Sequence, residues 1–204
     1  MWKFSFVVFS FVAAVSTASA QSAFDGGYWG VGLGYGSGDV SDFDATADLS
    51  IKGPVVSGIV GWNASNGNMV YGVEADLSFG KIDGSAACLN PAWTCNGEIK
   101  TLATVRGRLG MEQNGTLFYL TAGGAAGRVE LTTIDGVGTE FPGSQTATGW
   151  VAGIGIEGKL GATPWNYRLE YMHMDLGTET YMTDSPYTSE VKTGVLRFGM
   201  TKKF

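Results

Sequence analysis

The sequence has 204 residues and a formal net charge of −6, with 13 Lys and Arg against 19 Asp and Glu, 32 glycines and only five prolines. That length suits one domain of ordinary size, and the acidic balance supplies no electrostatic footprint for nucleic acid. Beyond the first twenty positions no stretch approaches the ~20 consecutive apolar residues of a transmembrane helix, which leaves strands as the only route through a bilayer.

Residues 1–20 have the form of a secretory signal. Lys3 gives the positive start, residues 4–15 an apolar run too short to span a membrane, and Ala18, Ser19 and Ala20 a small-residue cleavage site before Gln21. Removing this segment takes away Lys3, its only charge, and leaves a domain over 21–204 of 184 residues at −7. The chain is therefore expected to be exported.

From Tyr28 onward one texture repeats, in which runs of alternating apolar and small or polar residues are separated by Gly, Asn, Asp and Ser. Eight runs are expected as strands, over 28–36, 54–63, 69–79, 99–111, 116–129, 146–160, 165–175 and 191–204. The first sets Trp29, Val31, Leu33 and Tyr35 against Gly30, Gly32, Gly34 and Gly36. The third, MVYGVEADLSF, sends Met69, Tyr71, Val73, Ala75, Leu77 and Phe79 to one face and Glu74 and Asp76 to the other. Strands of ~9–11 residues are long enough to cross a bilayer at a tilt. The connections alternate between short (64–68, 112–115, 161–164) and long (37–53, 81–98, 132–145, 176–190), the asymmetry of a membrane barrel with tight periplasmic turns and long outer loops. Aromatic residues near strand ends, namely Tyr28, Trp29, Trp62, Tyr71, Tyr119, Trp150, Trp165, Tyr167 and Phe204, are expected to form interfacial girdles.

The expected fold is thus all-β: an eight-stranded antiparallel up-and-down transmembrane β-barrel with short periplasmic turns and four long extracellular loops. A soluble ligand-binding barrel would show the same period but not an outer face of this apolar character. Strand parity then places Glu74, Asp76, Arg106, Arg108, Glu157, Arg168, Glu170 and Arg197 in the lumen, four acids and four bases within a band of roughly 10 Å. In a barrel only wide enough for side chains to fill, such charges are expected to pair across the lumen.

Other chemistry has thin support. Gly153, Gly155 and Gly158 match G-x-G-x-x-G, but they lie inside a strand and open no helix, so no phosphate site or cofactor follows. His173 is the only histidine and has no Cys or carboxylate at ligand spacing, so neither a metal site nor a Ser-His-Asp site is expected, and no enzyme activity. Cys88 and Cys95 share one outer loop of an exported chain and are expected to form a disulfide. The four long loops carry 11 Asp and Glu against two Lys, which solvates them. Recruitment of divalent cations that bridge to lipopolysaccharide phosphates is the sharper alternative, although the Asp spacing is not that of an EF-hand.

The phrases YGVEAD over 71–76, LATVRGRLG over 102–110, GWVAGIGIE over 149–157 and RLEY over 168–171, with the terminal Phe204, resemble the small outer-membrane β-barrel family. That family includes the membrane domain of outer-membrane protein A and the porin-family surface antigens of Gram-negative bacteria. The resemblance implies residence in the cell outer membrane among its lipids and lipopolysaccharide, and handling by the barrel assembly machinery, with Phe204 as the C-terminal assembly signal. Lys202 departs from the pattern, which has a lipid-facing aromatic there. The function implied is a non-enzymatic surface protein serving envelope integrity, or antigen or adhesin roles through a host or surface ligand at the loops; the alternative is a narrow porin-like channel for small solutes.

Overall fold

In a computed structural model, which describes residues 22–44 and 48–204, eight strands run up and down in sequence order and close into one antiparallel barrel. They are β1 (Gly26–Ser41), β2 (Leu49–Asn66), β3 (Met69–Ala87), β4 (Thr94–Gln113), β5 (Thr116–Ile134), β6 (Glu140–Lys159), β7 (Trp165–Met182) and β8 (Pro186–Lys203). Closure of β1 on β8, from Tyr28 opposite Lys203 to Ser41 opposite Glu190, removes both sheet edges. The signal segment and its cleavage after Ala20 lie outside the described residues.

The short connections follow their turn chemistry. Asn114 and Gly115 both take positive φ (52° and 75°) between Gln113 and Thr116, as a two-residue Asn-Gly hairpin requires. Gly67 (φ 62°) begins the corresponding turn between Asn66 and Met69.

At the other end the strands continue well past the expected boundaries. Of the connections read as long loops, much is paired strand, and the unpaired tips shrink to short segments such as 88–93 and 183–185. The strands hold 16 to 20 residues. At ~3.3 Å per residue and ~40° of tilt they rise about 45 Å, roughly 20 Å more than a lipid-facing band needs. Register shifts accompany this extension, at Phe79–Ile82 in β3 against β4 and at two bulges that change strand parity. One at 100–101 shifts parity in β4, so that Cys95 and Ile99 point inward above it while Leu102, Thr104 and Arg106 point inward below. The other, in β7, is built on Gly177 (φ 70°), and brings Tyr181 inward.

The outer face of the lower barrel is a continuous apolar belt that includes Val31, Leu33, Val56, Val73, Phe79, Val105, Leu120, Ile154 and Phe198, all about half exposed or more. Such a belt is unstable against water and suits hydrocarbon. Trp29 packs edge-on against Trp165 at 5.3 Å near its periplasmic rim, where Lys202 also lies over the Trp165 ring at 5.8 Å. Tyr28 and Tyr119 depart from the girdle expectation. Both are buried inside the barrel, because their parity is that of the lumen face.

The interior is packed in three tiers. Near the periplasmic end Phe24 meets Val70, Leu117 and Tyr119, and the Phe24 carbonyl accepts a bond from Asn63 Nδ2 at 3.0 Å, so the segment before β1 folds across the mouth. Above it lies a charged tier. The outer half holds a hydrophobic core of Leu49, Ile51, Ile82, Ile99, Val129, Leu131, Val151, Met174, Leu176, Tyr181 and Val191 among others.

Candidate functional site: a charged layer across the lumen

Eight side chains make up the middle tier: Glu74 and Asp76 on β3, Arg106 and Arg108 on β4, Glu157 on β6, Arg168 and Glu170 on β7, and Arg197 on β8. Each comes from a strand position whose neighbours on either side face lipid, so the period of two alone aims them inward. Register brings them level: Glu74 lies opposite Arg106, Glu157 opposite Arg168 and Glu170 opposite Arg197 on adjacent strands.

They form one connected network. Arg106 pairs with Glu74, with Asp76 at 2.9 Å and with Glu170 at 3.0 Å, so a single guanidinium joins β3 to β7 across the lumen. Arg197 closes a second path between the same two strands, reaching Asp76 at 3.1 Å and Glu170 at 2.6 Å. Arg168 forms an ion pair with Glu74 at 2.6 Å and donates to Glu157 at 3.2 Å, and Arg108 donates to Glu157 at 2.5 Å. None of the eight side chains is more than 3% exposed. Four positive and four negative charges cancel, which is what lets them persist out of water, since an unpaired buried charge costs ~3–5 kcal/mol.

Neutral groups take up the remaining lone pairs. The Tyr28 hydroxyl donates to Glu74 at 2.7 Å and Tyr119 to Glu170 at 3.1 Å. Thr104 donates to Asp76 at 2.5 Å, and Thr201 and the Asn166 amide to Glu157 at 2.6 and 3.2 Å. The Arg108 guanidinium stacks on Tyr119 with 3.7 Å to the ring centroid. Both tyrosine rings lie against glycines, Tyr28 over Gly61 and Tyr119 over Gly155, where a Cβ would fall within 2.5 Å of ring atoms. The glycine at position 155 of the G-x-G-x-x-G match therefore accommodates a ring in the wall. None of these supporting groups is singled out by the sequence reading, which assigns Tyr28 and Tyr119 to the girdle; strand parity is the one signal that points Tyr28, Tyr119, Thr104, Thr201 and Asn166 inward.

The arrangement is chemically quiet. Every carboxylate in it is held by at least one guanidinium, which leaves no unpaired acid and base facing a common space. His173 lies on the outer wall against Trp150, 5.6 Å between ring centroids, away from the network. Cys88 and Cys95 are joined by a disulfide at the base of the outer tip between β3 and β4, so their proximity to Asp44 offers no thiolate for a metal. Phe204 follows β8, exposed, with its N–H donating to the Gly27 carbonyl at 3.1 Å.

The outer end is tied together as well. Phe43 packs edge-on against Tyr187 at 5.6 Å, Trp93 stacks on Phe141 at 5.8 Å, Leu89 N–H donates to the Asp44 carbonyl, and Thr133 donates to Asp184 at 2.6 Å. These contacts link tips distant in sequence into one cap. Asp135 caps its own turn by accepting from Thr139 and Val137 N–H at 2.8 and 3.0 Å; those bonds hold its carboxyl below the usual aspartate range.

The chain is similar along most of its length to proteins of known location. It is 28% identical over 194 residues to the 25 kDa outer-membrane immunogenic protein of Brucella abortus biovar 1 (strain 9-941), covering 95% of this chain and 85% of that one. It is 33% identical over 160 residues to the 22 kDa outer membrane protein of Rhizobium leguminosarum bv. viciae, covering 78% and 70%. Among solved structures, the outer membrane protein OprG from Pseudomonas aeruginosa superposes with a TM-score of 0.52 at 12% identity, over 90% of this chain and 98% of that one, a likeness of fold. The model of the outer membrane protein beta-barrel domain matches residues 5–204. With its lipid-facing belt and closed eight-stranded ring, this chain belongs to the outer membrane protein beta-barrel domain family and resides in the outer membrane.

Proposed function

We propose that the protein is a non-enzymatic surface anchor, a plugged barrel whose outer hairpins stand clear of the membrane as a rigid antigenic and adhesive cap and whose body helps tie the envelope together. The observation that carries this reading is the filled lumen: periplasmic plug, neutralised charge layer and outer hydrophobic core lie in series along the barrel axis. Solute passage would have to break ion pairs that are costly to separate, and a catalytic water would have no free carboxylate to meet. That the Brucella relatives are immunogenic outer-membrane proteins agrees with exposure of the cap. The partners we assign are outer-membrane lipids and lipopolysaccharide around the belt, the barrel assembly machinery during insertion through β8 and Phe204, and a host or surface ligand at the tips.

Deletion of the gene tests this. The anchor reading expects increased leakage of detergents and large hydrophobic dyes, and antibody or protease access in intact cells at tip residues such as Leu89 and Val137, which are 65% and 89% exposed. An intact barrier in the deletion strain, together with slowed uptake of a small solute, would support a conduit instead.

A further inference from the structure

Three large apolar side chains stand exposed beyond the reach of hydrocarbon: Leu89, Val137 and Met182, the last at 62%. Leu89 lies ten residues along the chain from Phe79 of the belt, about 25 Å higher at ~3.3 Å per residue and ~40° of tilt. Contacts join the three into one surface. Ala92, on the same tip as Leu89, abuts Gly136 beside Val137, where a Cβ on the glycine would meet the Ala92 carbonyl at 3.3 Å. Trp93 stacks on Phe141, Thr133 opposite Phe141 donates to Asp184, and Gly143, two residues past Phe141, packs against the Met182 backbone. The surface thus spans the tips of the β3–β4, β5–β6 and β7–β8 hairpins.

Scattered apolar residues on a surface need no explanation, but a joined patch in water marks a contact site. Its border carries one sign of charge. Asp44, whose carbonyl accepts from the Leu89 N–H, lies at one side, Asp135 and Glu140 flank the tip that carries Val137, and Asp184 lies beside Met182. No Lys, Arg or His occurs between Lys81 and Lys100, between Arg128 and Lys159, or between His173 and Lys192, so these hairpins place no cation of their own among the acids. A second copy would bring the same acids against them, and a sulfated glycan or nucleic acid would be repelled. An apolar centre inside a polar rim is instead the anatomy of a protein interface. The patch is also preformed. The Cys88–Cys95 disulfide ties the first tip, and Asp135 holds the turn of the second through the Thr139 and Val137 N–H groups, so little order is lost on binding.

We infer that the patch over Leu89, Ala92, Val137, Phe141 and Met182 docks a basic polypeptide segment that carries an apolar anchor, the anchor seated among these side chains and its Lys or Arg neighbours meeting Asp44, Glu140 and Asp184. This names the partner of the adhesive cap and rests on that reading. Burial of the anchor supplies most of the affinity; the charges supply encounter rate and the choice of partner.

The experiment uses the full mature chain in phosphatidylcholine nanodiscs and measures fluorescence anisotropy of labelled peptides, with empty nanodiscs as background. The first probe is a short run of lysines around a central Leu-Phe pair; the second has Ser-Ser in place of that pair, and the third has glutamates in place of the lysines. The first is expected to bind, and the other two to bind at least about tenfold more weakly. Leu89→Ser with Val137→Ser should weaken the first probe about tenfold and leave the residual binding of the second unchanged. Glu140→Gln should weaken it about fivefold at low salt, with the difference fading as salt is raised. Heat-modifiable gel mobility establishes that each variant is folded. No binding above empty nanodiscs, equal binding of the first two probes, or binding that survives the Leu89 and Val137 changes overturns the assignment, as do dimers that those changes abolish. The two readings fail separately: capture of the glutamate probe or of heparin through the same residues overturns the basic partner but keeps an adhesive cap, whereas binding of every probe independent of the tips overturns both.

Discussion

Glu157→Gln probes the charge layer at its most exposed dependency. Among the described residues Glu157 is the only carboxylate that Arg108 reaches, whereas Arg168 keeps Glu74 when Glu157 is lost. The substitution therefore leaves Arg108 with the Tyr119 ring at 3.7 Å and the Tyr28 hydroxyl at 3.4 Å, and the layer with one excess positive charge. Breaking a buried pair costs ~3–5 kcal/mol. Cation–π stacking on Tyr119 survives and offsets part of this, so the expected loss lies near the lower end, about 3 kcal/mol. The double variant Arg108→Leu with Glu157→Leu restores neutrality and should recover most of the loss, to within about 1 kcal/mol of the unmodified protein. Reversible urea unfolding in phospholipid vesicles, followed by tryptophan fluorescence, measures both. A single variant that costs under ~1 kcal/mol, or a double variant whose loss is the sum of the two single changes, would show that the pairs do not act as a coupled, charge-balanced unit.

Three further outcomes are expected. Val73→Arg, on the lipid face, should cost ~2–4 kcal/mol in the same assay while leaving the lumen closed, and a near-neutral effect would contradict its placement in the bilayer. Replacing Cys88 and Cys95 with Ser should lower the stability of the outer cap by about 2.5 kcal/mol on the chain-entropy estimate, read from hydrogen exchange at the β3–β4 tip, with the barrel exchange unchanged. Asp135, depressed by backbone N–H donors, contributes order to its turn above the unfolded-state aspartate value, and that order is lost as pH falls through its lower folded value. An NMR titration placing its midpoint at or above that of a free aspartate would refute the cap.

The period of two carries most of this fold in plain view. It marks the eight runs, the lipid face of β3 from Met69 to Phe79, and the inward set from Glu74 to Arg197, because lipid leaves no tolerance for polar outer positions within the belt. Above the belt that pressure ends. Outer positions such as Lys52, Asp83 and Glu130 are polar, and the bulges at 100–101 and at Gly177 shift the alternation by one residue, so paired strand there has the texture of loop. Tyr28 and Tyr119 show a different limit. A tyrosine near a strand end has the same composition at a girdle as in a lumen, and only its parity with Gly30 or Thr121 distinguishes the two. The plug around Phe24 has no periodic signature at all, since it precedes the first alternating run and acts through a backbone carbonyl.

Single-channel recording in planar bilayers tests the central claim, that the lumen is closed by a balanced charge layer between two apolar tiers. The unmodified protein should show small or intermittent conductance. Arg106→Ser removes the guanidinium that joins Glu74, Asp76 and Glu170, leaves an excess negative charge and should admit water and raise cation conductance. Steady, large conductance from the unmodified protein, insensitive to Arg106→Ser, would mean that the lumen is already open and that the charges line a path rather than seal one.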